Sequence, residues 1–158
     1  MNQTRRTFLQ AGMTAGTIAV VASAGMLTPR SVMAAWPKSA FDAKSIDEAM
    51  KSLNGTSAGS ATDSNDITVE APDIAENGAV VSVTIKTTIA DAEQISVFVP
   101  ANANALCASY ILASGTDGFV TGRIKMRKTS DVIAMVNAGG KLYTAKKPVK
   151  VTLGGCGG

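Results

Sequence analysis

The chain contains no histidine. That absence removes Ser-His-Asp and Cys-His activation of a nucleophile. It also removes the common zinc sites that include histidine, and two cysteines are too few for an all-cysteine zinc site. A copper centre of the His-Cys type is excluded for the same reason. No Gly-rich phosphate loop ending in Lys-Ser or Lys-Thr is present. With Cys107 and Cys156 far apart, there is no closely spaced redox pair. No catalytic group, metal site or cofactor is therefore expected.

An excess of charge is lacking too, once the leader is set aside. Thr4-Arg5-Arg6-Thr7-Phe8-Leu9 has a twin-arginine pattern, and an uncharged stretch from Ala11 to Leu27 follows. At about 17 residues that stretch is short for a membrane span. Val32-Met33-Ala34 offers a signal-peptidase site, so residues 1–34 are read as a twin-arginine signal peptide cleaved after Ala34 or Ala35. The expected location is the periplasm, with no membrane attachment after cleavage. Arg5, Arg6 and Arg30 leave with the leader, so 12 of the 15 basic residues face all 12 acidic ones. A mature net charge of zero gives no footing for nucleic-acid binding. What remains, residues 35–158, suits one domain with one core.

The pattern within that domain changes once. Ile46, Ala49, Met50 and Leu53 recur at a helical period, predicting one helix over Ser39–Asn54 that stops at Asn54-Gly55. Ser39 and Asp42 read as its capping signal, with Trp36 and Phe41 anchoring its start. Thr56–Asn65 reads as a polar linker. Beyond it the period is two. Ile67/Val69/Ala71, Val81/Val83/Ile85 and Ile95/Val97/Val99 alternate with polar residues. Further strands are expected over 109–114, 119–126 and 131–137, with one or two more over 142–153 around Pro148. Turn signals at Asn77-Gly78, Gly115–Gly118 and Gly139-Gly140 separate them. Six to eight short strands with one buried face each predict an all-β fold, an antiparallel β-sandwich with an N-terminal helix over residues 35–153.

The chain closes on Gly154-Gly155-Cys156-Gly157-Gly158. Four glycines give this segment almost no conformational preference and no side chain to pack. It is expected to be a flexible C-terminal arm, thin enough to enter a narrow channel, with Cys156 as the working group. Neither a cation nor a helix N-terminus adjoins the thiol, and the α-carboxylate of Gly158 disfavours a thiolate. Its pKa is expected to be ordinary or slightly raised, so its reactivity must be supplied by the sites it visits. A Cys107–Cys156 disulfide and a tail with no purpose are the plainer readings.

These residues carry a resemblance. Val149–Gly158, Ala71–Gly78, Thr121–Met126 and the leader resemble the SoxY family, the sulfur-carrier subunits of the thiosulfate-oxidising Sox system. The resemblance implies an immunoglobulin-like sandwich paired with a second sandwich subunit, SoxZ. It implies that Cys156 accepts thiosulfate through the haem enzyme SoxAX. The hydrolase SoxB then releases sulfate, and SoxCD, where present, oxidises the remaining sulfur. Cys156 carries over as the attachment residue, with Gly154, Gly155, Gly157 and Gly158 as its arm. In place of a proline-containing stretch this chain has Asn102–Ala108, in which Cys107 reads as a small buried residue.

Two other function classes stand beside the carrier. One is a periplasmic thiol enzyme, such as a sulfurtransferase or reductase. The other is a structural sandwich joined as a homodimer by tail disulfides. Arg123, Lys125 and Arg127 alternate and so share a strand face. They are candidates for contact with an acidic partner or for attracting thiosulfate, against the default of a solvated face.

Overall fold

The computed structural model describes residues 37–152. The expected signal peptide, Trp36 and the arm bearing Cys156 lie outside them.

The expected single helix is two. Helix α1 covers Lys38–Asp42, Ala43 is extended with ψ 139°, and helix α2 covers Ile46–Asn54. The break has a local cause. Ser45 Oγ accepts a hydrogen bond from Glu48 N (3.2 Å), and Glu48 Oε2 accepts from Ser45 N (3.4 Å). This reciprocal capping box satisfies two orphan N–H donors, and it needs Ser45 in extended backbone rather than mid-helix. The capping pair is therefore Ser45/Glu48, not Ser39/Asp42. Gly55 closes α2 at φ 69°, its N–H donating to Lys51 O.

The expected linker is built. Ser57 Oγ (2.6 Å) and Ala58 N (3.1 Å) donate to Asp47 Oδ1, which seats a 3₁₀ turn over Ala58–Ser60. Strand β1 (Thr62–Asp63) follows. Then come β2 (Ile67–Glu70), β3 (Ile74–Ala75), β4 (Val81–Thr87), β5 (Ala92–Phe98), β6 (Leu106–Ile111), β7 (Phe119–Ile124), β8 (Ser130–Ala138) and β9 (Lys141–Val151). One sheet has the order β1-β9-β8-β5-β6 with β3 also on β9, and the other is β2-β4-β7. The long pairings are antiparallel, as predicted, while β1 and β3 join β9 in parallel. The fourth strand begins earlier than expected, at Leu106, because Phe98 of β5 pairs with it.

Between the sheets lie Ile85, Ile95, Val97, Val99, Met126, Val132 and Val136, all buried. The larger sheet is not solvated on its other face. There Phe98, Leu106, Met135 and Leu142 pack under Ala40, Ala49 and Met50 of the two helices, with Phe41, Ile46 and Leu53 at the margin. Consecutive residues of β5 from Ile95 to Phe98 are therefore all buried, which period-two reading of one solvated face does not anticipate. Burying a Phe or Met side chain contributes about 1.5–3 kcal/mol, so this second cluster binds the helices firmly to the sandwich.

Pro148 does not divide the last strand. Lys150 N donates to Asp73 O and Thr144 O accepts from Ser64 N, so even-numbered residues of β9 point their backbone away from β8. The proline nitrogen thus faces the stretch of edge between β1 and β3, where no donor is required. Strand β9 runs unbroken for 11 residues to the root of the arm.

Candidate functional site

Strand β9 ends at Val151, and both flanks of that end are held. On one flank β3 pairs in parallel, Ile74 with Lys150 and Ala75 with Val151. Thr152 N donates to Ala75 O at 3.1 Å, and Lys147 Nζ lies 3.0 Å from Asp73 Oδ1. On the other flank Val151 N donates to Thr129 Oγ1 at 3.0 Å, and Thr129 Oγ1 donates to Val151 O at 3.4 Å. Just inside, Val149 is buried in the core. Cys156, Gly154, Gly155, Gly157 and Gly158 lie beyond this root, outside the described residues.

The cations approach the root in a way that the strand reading only partly anticipates. Arg123 belongs to β7, but Lys125 and Arg127 follow its end, so they are not on one strand face. The alternation of exposure nevertheless continues, because Ile124 and Met126 are buried between them. Lys128 adds a fourth exposed cation. None of the four is ion-paired with another described residue.

A residue that sequence reasoning left as mere loop fixes this segment. Asn102 Nδ2 donates to Lys125 O (2.7 Å), and Arg127 N donates to Asn102 Oδ1 (3.0 Å). One amide thus spans both sides of Met126. The signal available was an asparagine just past Pro100 at a strand end, a type that hydrogen-bonds nearby backbone. Asn102 Nδ2 also lies 3.4 Å from Cys107 Sγ. Cys107 is partly rather than fully buried and packs against the inter-sheet core. Burial pushes its thiol above the ordinary value, and the Asn102 amide offsets part of that rise. Among the described residues Cys107 has no cysteine partner and no group of carboxylates and cysteines is placed to hold a metal ion.

Comparison with known proteins places this architecture. The family profile described as "Sulfur oxidation protein SoxY" matches residues 51–156, a span that ends on Cys156. The sulfur carrier protein SoxY from Chlorobium limicola f. thiosulfatophilum is 41% identical and superposes with a TM-score of 0.61. That match covers 68% of this chain and 96% of that one. The superoxide reductase (neelaredoxin) from Ignicoccus hospitalis is 16% identical, with a TM-score of 0.48 over 58% of this chain and 80% of that one. No curated protein matches the chain. The two-sheet fold and the matched span agree, and the chain belongs to the SoxY family.

Proposed function

We propose that this protein is a sulfur carrier in sulfur oxidation, holding thiosulfate-derived groups covalently on Cys156. The observation that carries the reading is the delivery of β9 to a braced root, with a lone thiol four residues further on amid glycines. Support comes from the family match and from the related Chlorobium protein, itself a sulfur carrier.

The chemistry divides between carrier and enzymes. Thiolate plus thiosulfate yields Cys156–S–S–SO3⁻ and two electrons, which a haem enzyme of the SoxAX kind accepts. Water then converts that adduct to a Cys156 persulfide, sulfate and two protons, at a hydrolase of the SoxB kind. SoxCD, where present, takes the persulfide sulfur further. The carrier's own part is to hold the sulfur and present it, so no cofactor of its own is required. SoxZ is the proposed second subunit, the twin-arginine route the means of export, and the periplasm the place of work.

Intact mass spectrometry of the protein from its source tests this. Reducible adducts of sulfur and sulfur oxoanions are expected on the wild type and absent from Cys156→Ser. A uniformly free thiol under thiosulfate-oxidising growth, or sulfur oxidation sustained by Cys156→Ser, overturns it.

A further inference from the structure

The two sides of the sandwich are finished differently. On one side the chain switches between sheets, so β1 and β3 flank β9 while β2 joins β4. On the opposite side both sheets end bare. Among the described residues β6 pairs only with β5, and β7 only with β4. Leu112 N donates to Glu93 O, and bonding alternates along an antiparallel pair, so Leu112, Tyr110 and Ala108 turn their backbone towards β5. The N–H and C=O groups of Ser109 and Ile111 therefore point off the sheet, where no described strand meets them.

Natural sheets guard such an edge with lysine, proline, a bulge or a covering segment. Strand β6 has no charged residue and no proline. Its bulge lies opposite Val97 and Phe98, at the Leu106 end, and leaves Ala108–Ile111 regular. Ile111 is 87% exposed.

The charges beside this edge say what covers it. Asp91, Glu93 and Asp117 line one open groove at the end where β6 turns towards β7. Arg123, Lys125 and Arg127 stand towards the other end. None of these six is ion-paired with another described residue. Gly122 of β7 leaves room for Tyr110 Oη, so Asp117 and Arg123 lie on either side of the level of Tyr110. A second copy laid antiparallel along β6 sets the acidic end of each chain beside the cationic end of the other, whereas a parallel copy sets like against like. We propose that β6 pairs antiparallel with β6 of a second copy, about a two-fold axis at Tyr110, to form a homodimer. In that register Ser109 and Ile111 of one copy exchange backbone bonds with Ile111 and Ser109 of the other, and each Ile111 side chain lies beside a small Ser109. Asp117 of each copy comes to the level of Arg123 of the other.

The arrangement leaves both arms free. Tyr110 is level with Ile95, Val136 and Tyr143 across the sheet. From Tyr143 strand β9 runs on to Val151, about 26 Å at 3.3 Å per residue. The two β9 ends thus stand at opposite ends of the dimer, about 50 Å apart along the strands. An extended chain from Val151 to Cys156 reaches about 18 Å at most, so the two thiols cannot close a disulfide within the pair. The inference goes beyond the carrier reading and does not depend on it.

Sedimentation equilibrium of the full exported chain, from micromolar to millimolar concentration, tests this. The chain carries Cys156→Ser throughout, so no tail disulfide contributes. A reversible monomer–dimer equilibrium is expected. Ile111→Lys, which puts a charge on the bare edge, is expected to weaken it at least about tenfold. Arg123→Asp and Asp117→Arg are each expected to weaken it about tenfold at low salt, and the two reversals combined are expected to restore it. Lys146→Gln, on β9, is expected to change nothing. Circular dichroism confirms folding of each variant. A parent chain that stays monomeric throughout, a dimer indifferent to Ile111→Lys, or a double reversal that restores nothing overturns the proposal. A monomeric parent whose binding to SoxZ is lost with Ile111→Lys overturns it as well, and would make this edge the seat of the second subunit.

Discussion

Cys156 and Cys107 carry the same thiol in opposed surroundings, and their reactivities should separate accordingly. Cys107 is packed against the core with its pKa raised by burial, so little thiolate forms there near neutral pH. Cys156 stands among glycines with no cation beside it in sequence, and its alkylation profile is expected to follow an ordinary or slightly raised thiol pKa. Iodoacetamide should label Cys156 well before Cys107, followed by peptide mass spectrometry at several pH values. An apparent value well below 7 for Cys156 would show that the protein activates its own thiol, against the division of labour proposed above. Asn102 is the other residue whose role is specific. Asn102→Ala removes two hydrogen bonds to backbone, at a cost of about 1–2 kcal/mol by urea unfolding. It should also raise amide exchange at Arg127, since the bond lost there is the one that N–H makes to Asn102 Oδ1.

The helical elements show how local chemistry outvotes periodicity. The apolar spacing of Ile46, Ala49, Met50 and Leu53 correctly identified the packed face, because burial under the sheet demands that spacing whatever the helix length. It did not reveal the break, since Ser45 competes for the backbone only when Glu48 is placed to reciprocate. Ser45→Ala is expected to cost about 1 kcal/mol. Asp47, bonded to Lys51 first and then to Ser57 and Ala58, has its pKa lowered from 3.8 to about 2. A depressed carboxylate stabilises the fold above its unfolded value, and the contribution fades as pH falls from about 4 through 2. The carboxylate is only partly covered, so salt should weaken the effect. A carbon-detected NMR titration of Asp47 checks the direction, and Lys51→Ala should move its pKa back up. Strand β9 teaches the converse lesson. Its proline reads as an interruption, yet the strand continues because that nitrogen faces an unpaired stretch of edge. At its far end Thr129→Val removes both bonds to Val151. Amide exchange at Val151 should accelerate while the melting temperature scarcely moves, since the deeper residue Val149 stays buried.

For the molecule as a whole, the two-sheet plan was legible because alternating Val and Ile runs have one economical burial, face to face. The second apolar layer was not legible, since it depends on which outer-face residues of β5, β6, β8 and β9 the helices happen to cover. The site divides in the same way. Cys156 and its glycines are contiguous in sequence and could be read directly, whereas the bonds that hold the end of β9 join residues 75, 129 and 151–152 through long-range register. This division has a measurable consequence. The members of both apolar clusters among the described residues lie within 40–151, and no buried side-chain polar atom of the described residues lacks a partner. A chain ending at Thr152 is expected to unfold in one cooperative transition at the melting temperature of the full chain. In a domain of this size 1 kcal/mol of lost packing would lower that temperature by about 3–5 °C, well within calorimetric resolution. Equality of the two melting temperatures would leave the arm free to serve chemistry alone. A drop of several degrees would instead show that Leu153 or the glycine segment packs onto the sandwich, and that release of the arm must work against that packing.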